Sequence, residues 1–469
     1  MLDWIASINS FVNGIVWGPP FMILLAGTGL YLTVRLGFFQ FTHLRHAWRH
    51  SFGLMFRRGE DHEDGAITPF QAVTAAMAAT IGVGNIAGVA TAIVAGGPGA
   101  IFWMWVIALV GMATKMAEVT LGLKYRHIDE HGHVSGGVFY YIEKGLGPQW
   151  RWLAVLYAFF AGLAAFGIGN MVQSNTLAES VSQATGGVVP NWMTGVLAVV
   201  LVGAVTLGGI SRIAATAEKL VPIMAAAYLI GGLGVLIIHV TEIPAALWMI
   251  VQHAFQPMAA VGGFAGASVA MAIRYGVARG IFSNEAGLGS ASIVHAQARN
   301  TPFRQGFWGV WEVFIDTLVV CTMTALVILL TGVLGTVDGD GKLLNGAGLT
   351  TTAFTTGLPG PGGYVVLISI IFFAYTTMLT WNFYGEKSWE YLFGRKVVLP
   401  YRLLFLVFVF LGAVGALQLV WDIADTLNGL MAAPNLVALL LLAGVMTREK
   451  LDYFNRLRNG QAPHKPDDA

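Results

Sequence analysis

The sequence predicts an all-α polytopic membrane protein of about eleven transmembrane helices: one extra N-terminal helix, then two inverted five-helix repeats, each with a broken first helix. Three observations carry this. Of 469 residues, 56% are hydrophobic and 11% charged, about half the charged share of a soluble domain. Apolar runs of roughly 18 residues or more recur from end to end, each able to cross a hydrocarbon core about 30 Å thick. Glycine clusters interrupt two of these runs, at corresponding places in the two halves.

Spans are expected near 13–35, 68–95, 99–123, 152–178, 192–210, 219–239, 246–276, 311–335, 364–392, 401–419 and 426–446. They divide the chain into an N-terminal helix with cytoplasmic linker (1–66), a first repeat (67–240), a second repeat (241–447) and a cytoplasmic tail (448–469). The first positive charge is Arg35, so the start lacks a basic signal-peptide region and Val12 to Thr33 reads as a retained membrane helix. The stretch 336–362, rich in Gly, Thr and Pro, reads as an irregular external loop.

Charge placement orients the spans. With the N-terminus outside, the inward segments hold Arg45, Arg49, Arg57, Arg58, Lys124, Arg126, Lys144, Arg151, Arg212, Lys219, Arg299, Arg304, Arg395, Lys396 and the basic tail, while the outward connections hold only Lys342. This satisfies the positive-inside rule and predicts a multi-pass chain of a bacterial-type inner membrane, N-terminus outside and C-terminus cytoplasmic. With 26 basic and 25 acidic side chains the formal charge is +1, so nothing points to nucleic acid or an acidic partner. The single cysteine, Cys321, lies in an apolar run and reads as a small buried hydrophobe.

Helices in lipid keep their backbone hydrogen bonds inside the segment, so a glycine cluster at mid-depth signals non-helical backbone facing protein, ligand or water. The clusters are Thr80 to Gly88 in the second span and Val261 to Gly266 in the seventh. Each heads five spans, and because five is odd the second set enters from the opposite side. The second half is longer, and Arg279 to Gln305 is the natural place for the extra chain. Broken helices in inverted halves point to a secondary transporter with its site at the midplane. Half-helix N–H groups attract a carboxylate and freed carbonyls bind a cation. The alternative is that the glycines only let helices pack closely.

Residues 96–111 read GGPGAIFWMWVIALVG, which resembles the signature of the sodium:alanine symporter family, the alanine or glycine:cation symporters. The resemblance extends through GVGNIAGVATAI at 82–93, SGGVFYYIEKGLG at 135–147, GNMVQSN at 169–175, RYGVARGIFSNEAGLGS at 274–290 and WNFYGEKSWEYLFG at 381–394. It implies a five-plus-five core with one extra helix, and a symporter, not an enzyme, that imports a small neutral amino acid with sodium by alternating access. No cofactor beyond the co-transported ion and no obligatory protein partner is implied.

Candidate site residues follow. The carboxylate is expected on freed N–H groups around Gly82, Gly84 and Asn85, with Gly262, Gly263 and Phe264 of the second break opposite. Phe166, Asn170 and Gln173 share one face of an ideal helix and mix an apolar surface with amides; ordinary interhelical packing is the alternative. Trp381, four residues after Thr377, is expected to wall the substrate side chain and restrict it to small groups. For sodium, carbonyls at Ala78 and Ile81 with the hydroxyls of Thr376 and Thr377 resemble the site of related five-plus-five transporters, where two neighbouring hydroxyls face the broken helix. The alternative is that both threonines bond back to their own helix. Proton coupling through Glu118 or Asp316 is the rival.

Other patterns carry less. Gly82 to Gly88 lacks the strand and acidic residue of a dinucleotide loop. Asp338 to Leu349 departs from a calcium loop at Lys342 and Leu349. His127, His131 and His133 lack supporting metal ligands and read as solvated. Trp103 and Trp105 read as interfacial anchors. Lys115 with Glu118, Glu312 with Asp316 and Glu386 with Glu390 lie within spans at one-face spacing and read as a structural or gating network.

Overall fold

The computed structural model describes residues 2–54, 65–259, 264–339, 341–415 and 418–460. Among them, seven helices are long and apolar enough to cross a membrane: Gly99–Lys124, Pro148–Ala184, Gly209–Ile238, Pro302–Leu330, Gly362–Phe393, Arg395–Val414 and Leu419–Arg458. Two bent pairs bring the number to nine: Ala6–Val16 with Pro19–Arg35, bent by 43°, and Pro69–Thr80 with Gly84–Gly96, bent by 48°. Asn191–Thr206 is apolar but shorter.

The first broken helix forms as its sequence directs. Thr68 and Gln71 make a reciprocal capping box ahead of Pro69, which satisfies two N-terminal donors and fixes the start. At Ile81 the backbone leaves the helix, with φ −76° and ψ 85°. It re-enters through a wide turn, Gly84–Gly88, before Val89–Gly96. Asn85 caps the re-entry, its Oδ1 accepting from Gly82 N at 2.9 Å.

The second half departs from expectation. The span expected at 246–276 is two helices, Ile243–Phe255 and Val269–Asn284, with an antiparallel bridge between Met258 and Ala267 in the connection. Gly262 and Gly263 lie outside the described residues. The break that mirrors the first falls later, between Val269–Asn284 and the short helix Ala291–His295. Glu285 ends the long helix in the left-handed region, φ 57°, and Gly287 and Gly289 also take positive φ, which glycine adopts without steric penalty. Arg279 to Gln305 is therefore not an insertion; it holds a helix end, the break and the start of Pro302–Val313. Glycines at 262, 263 and 266 and those at 287 and 289 give equally strong interruption signals, and hydropathy alone favours the first set.

The two broken helices run antiparallel. A side chain on Gly84 would meet Phe282 and Ser283, whereas one on Gly96 would meet Met271 and Tyr275. Small residues allow the close approach on which this arrangement rests. A Cβ on Gly276 would lie 2.3 Å from Ala100 O, and one on Gly309 3.0 Å from Lys115 O. Both Val269–Asn284 and Pro302–Val313 thus pack backbone to backbone on Gly99–Lys124.

Smaller differences have local causes. Pro19 and Pro20 split the first expected span into Leu2–Val16 and Pro19–Arg35. The external stretch 336–362 is not wholly irregular, because Asn345 caps a helix, Gly346–Gly357. The last helix continues to Arg458.

Candidate substrate and ion site

The first break is held by side-chain amides. Asn85 Nδ2 donates to Ser283 Oγ at 3.0 Å and Asp316 Oδ1 at 2.7 Å, while its carbonyl accepts from Thr324 Oγ1 at 2.7 Å. Val83 N donates to Gln173 Oε1 at 3.3 Å. Two backbone donors of the break, at Gly82 and Val83, thus face amide oxygens, the acceptor type that a carboxylate also offers. Gly82 sits against Thr377, whose Oγ1 is 2.6 Å from an added Cβ, and Gly84 sits against the Phe282 ring at 3.1 Å. Phe282, rather than Phe264, stands opposite Gly84. Phe264 is buried near Gly97, at the far end of the broken helix.

Phe166, Asn170 and Gln173 do not share a face. A wide turn at Gly167–Met171 separates Arg151–Phe166 from Val172–Ala184 and alters the 3.6-residue spacing. Gln173 reaches the break. Phe166 packs against Tyr401, Phe405 and Phe408, and Asn170 Nδ2 donates to Phe405 O at 2.8 Å. Gly169, which the residue pattern did not single out, lies directly on Trp381, with an added Cβ 2.0 Å from Trp381 Cβ.

Trp381 is fully buried and its Nε1 donates to Glu285 Oε1 at 2.8 Å. Glu285 also accepts from Ser290 Oγ, closing the break on itself. Glu118 holds the same loop from Gly99–Lys124: its Oε1 accepts from Gly287 N at 2.8 Å, Gly289 N at 3.1 Å and Asn435 Nδ2 at 2.7 Å. Glu285 escaped the sequence reading, although an acid inside a glycine-rich apolar stretch is itself a signal. The acids read as same-face pairs take other partners. Lys115 Nζ bonds Glu312 at 3.0 Å, His295 approaches Glu312 at 3.3 Å, and Arg402 grips Glu386 at 2.6 and 3.0 Å.

Thr377 and Ala78 meet, the hydroxyl donating to the carbonyl at 3.0 Å, and Thr380 repeats the contact on Ala75 at 2.9 Å. Thr376 turns away. Its hydroxyl donates to Phe372 O at 2.9 Å, beside Met224 Sδ at 3.5 Å, so only one of the two adjacent hydroxyls faces the first break. Ile81 stands at that break. Among the described residues no group of three or more His, Cys, Asp or Glu is arranged to hold a metal. The loop of His131 and His133 closes on Asp129, whose carboxyl the backbone N–H groups of His133 and His131 hold down to about 2. Lys342 N closes the Asp338 turn onto Oδ1 at 2.8 Å.

A family model described as the sodium:alanine symporter family matches residues 2–467. The chain belongs to the sodium:alanine symporter family. Similar relatives of this symporter include the sodium/alanine symporter AgcS of Methanococcus maripaludis, 47% identical over 98% of this chain and 99% of the relative. Another is the probable sodium/glutamine symporter GlnT of Bacillus subtilis, 37% identical over 97% and 92%. The fold resembles the crystal structure of MhsT in complex with L-phenylalanine, with a TM-score of 0.54 at 12% identity, covering 83% of this chain and 99% of that one. This symporter is a multi-span membrane transporter that moves an amino acid with a cation; it is not an enzyme.

Proposed function

We propose that this symporter imports a small neutral amino acid, alanine or glycine, together with sodium, by alternating access across a bacterial inner membrane, with its N-terminus outside and its C-terminus cytoplasmic. The observation that carries the reading is the pair of backbone donors at Gly82 and Val83, set toward amide oxygens of Asn85 and Gln173. A substrate carboxylate replaces those oxygens, and Gln173 swings to its free edge. Gly84 and Asn85 complete the anion side, and Phe282 forms the wall opposite. Phe264, Gly262 and Gly263 belong to the approach rather than the floor. Trp381, buried against Gly169, limits the space for the side chain, with Phe166 and Asn170 backing that wall. GlnT is named for a larger substrate than AgcS, so the wall is where members of one family would differ.

Sodium is a hard cation suited to oxygen ligands, as calcium is. We place it at the carbonyls of Ala78 and Ile81 with the hydroxyl of Thr377; Thr376 joins only by rotating off its own helix. The segments 67–240 and 241–447 are the repeats that rock around this centre. Binding of radiolabelled alanine to the purified protein, in sodium chloride against choline chloride, tests the reading. Saturable binding only in sodium supports it, and equal binding in both salts contradicts it.

A further inference from the structure

Four carboxyl side chains are buried to within 1% in the central bundle, Glu118, Glu285, Glu312 and Asp316, against a single buried ammonium, Lys115. Lys115 is bonded to Glu312, leaving the others without a bonded cation among the described residues. Glu118 and Glu285 are tied to the loop of the second break. Asp316 differs, because it touches both breaks. It stands in a wide helical turn, Phe314–Cys321, the kind of local widening found at functional positions. Its Oδ1 accepts from Asn85 at 2.7 Å, and its Oδ2 accepts from Ser283 Oγ and Thr317 Oγ1, each at 2.8 Å.

An ionised carboxylate at membrane depth is costly without a counter-charge. Here three oxygens already converge: Asp316 Oδ2, Ser283 Oγ and Thr317 Oγ1. A hydroxyl hydrogen rotates freely, so both hydroxyls can turn lone pairs toward a cation lodged beside Oδ2. Carboxylate and hydroxyl oxygens are hard ligands suited to a group-one or group-two ion. Cys321 Sγ, 3.2 Å from Ser283 Oγ, is the soft neighbour and takes no part.

We infer that Asp316, Ser283 and Thr317 form a second sodium site, separate from Ala78 and Thr377. Ser283 ends the helix before the second break and Asn85 lies in the first, so an ion on Asp316 favours the arrangement in which both breaks are together. That is a differential affinity for one conformation, the requirement for coupling ion to substrate. The inference rests on the sodium-coupled reading above.

The test is alanine uptake into proteoliposomes against sodium concentration, for the wild type, Asp316→Asn and Asp316→Glu. The wild type should rise sigmoidally. Asp316→Asn should become hyperbolic, with its half-saturating sodium raised roughly tenfold, within the usual range of coupling energies, and Asp316→Glu should recover part of the steepness. If Asp316→Asn does not transport, sodium titration of its thermal unfolding replaces uptake: a curve matching the wild type overturns the site, and a single weaker phase supports it. A sodium-dependent wild type with an unaltered variant overturns this site alone. A wild type that follows pH and ignores sodium overturns the sodium reading, and this site with it.

Discussion

The indole Nε1 of Trp381 donates to Oε1 of Glu285 at 2.8 Å, joining the middle of Gly362–Phe393 to the residue that ends Val269–Asn284. A non-glycine residue in the left-handed region is uncommon, and here its side chain fixes the proposed substrate wall. Trp381→Ala should admit larger amino acids, seen as leucine uptake that the wild type lacks. Glu285→Ala should raise the leucine-to-alanine ratio more modestly, and Glu285→Gln, which keeps the acceptor oxygen, should stay near wild type. A competition panel against labelled alanine reads all three.

Glycines at the site admit no side chain. Gly169→Ala would drive a methyl group into Trp381, an overpacking that costs about 1–3 kcal/mol, and alanine uptake should fall several-fold. Gly84→Val should abolish uptake, because Phe282 already occupies that side. Normal uptake by Gly84→Val in reconstituted vesicles would remove the first break from the substrate site.

The adjacent threonines should behave differently. Thr377 faces the Ala78 carbonyl and Thr376 faces its own helix. Thr377→Ala should therefore raise the half-saturating sodium concentration by about tenfold, the effect of roughly 1.4 kcal/mol, while Thr376→Ala should leave it nearly unchanged. The reverse order would place the ion on the other hydroxyl.

Much of this was legible in the sequence. The first break was readable because two glycines and an amide interrupt an apolar run between a capping threonine and a second helical stretch. The second break was misplaced, because glycines at 262, 263 and 266 lie nearer the centre of an apolar window than Gly287 and Gly289. Hydropathy does not record which interruption faces the partner helix. Gln173 was found and its expected neighbours were not: a wide turn at Gly167–Met171 resets the spacing, and no single-residue propensity announces such a turn. Glu285 and Asp316 owe their surroundings to pairing across helices, which spacing along one helix does not reveal.

Lys115 and Glu312 are a buried ion pair with both side chains at 0% exposure. Removing one partner strands the other charge, at about 3–5 kcal/mol. Lys115→Met should lower the thermal unfolding temperature of the purified protein sharply. Lys115→Met with Glu312→Gln should recover part of the loss. Equal melting of the single and double variants would show that His295 and the remaining polar groups, not the pair, govern that region.

The central claim is sodium-driven import of a small neutral amino acid, and gradient-driven uptake of labelled alanine by purified protein in liposomes tests it most directly. Vesicles loaded with potassium and diluted into sodium at constant pH and clamped voltage should accumulate alanine above the outside concentration. The accumulation should collapse when sodium is equal on both sides. Equal initial rates and no accumulation with or without the sodium gradient would contradict the account.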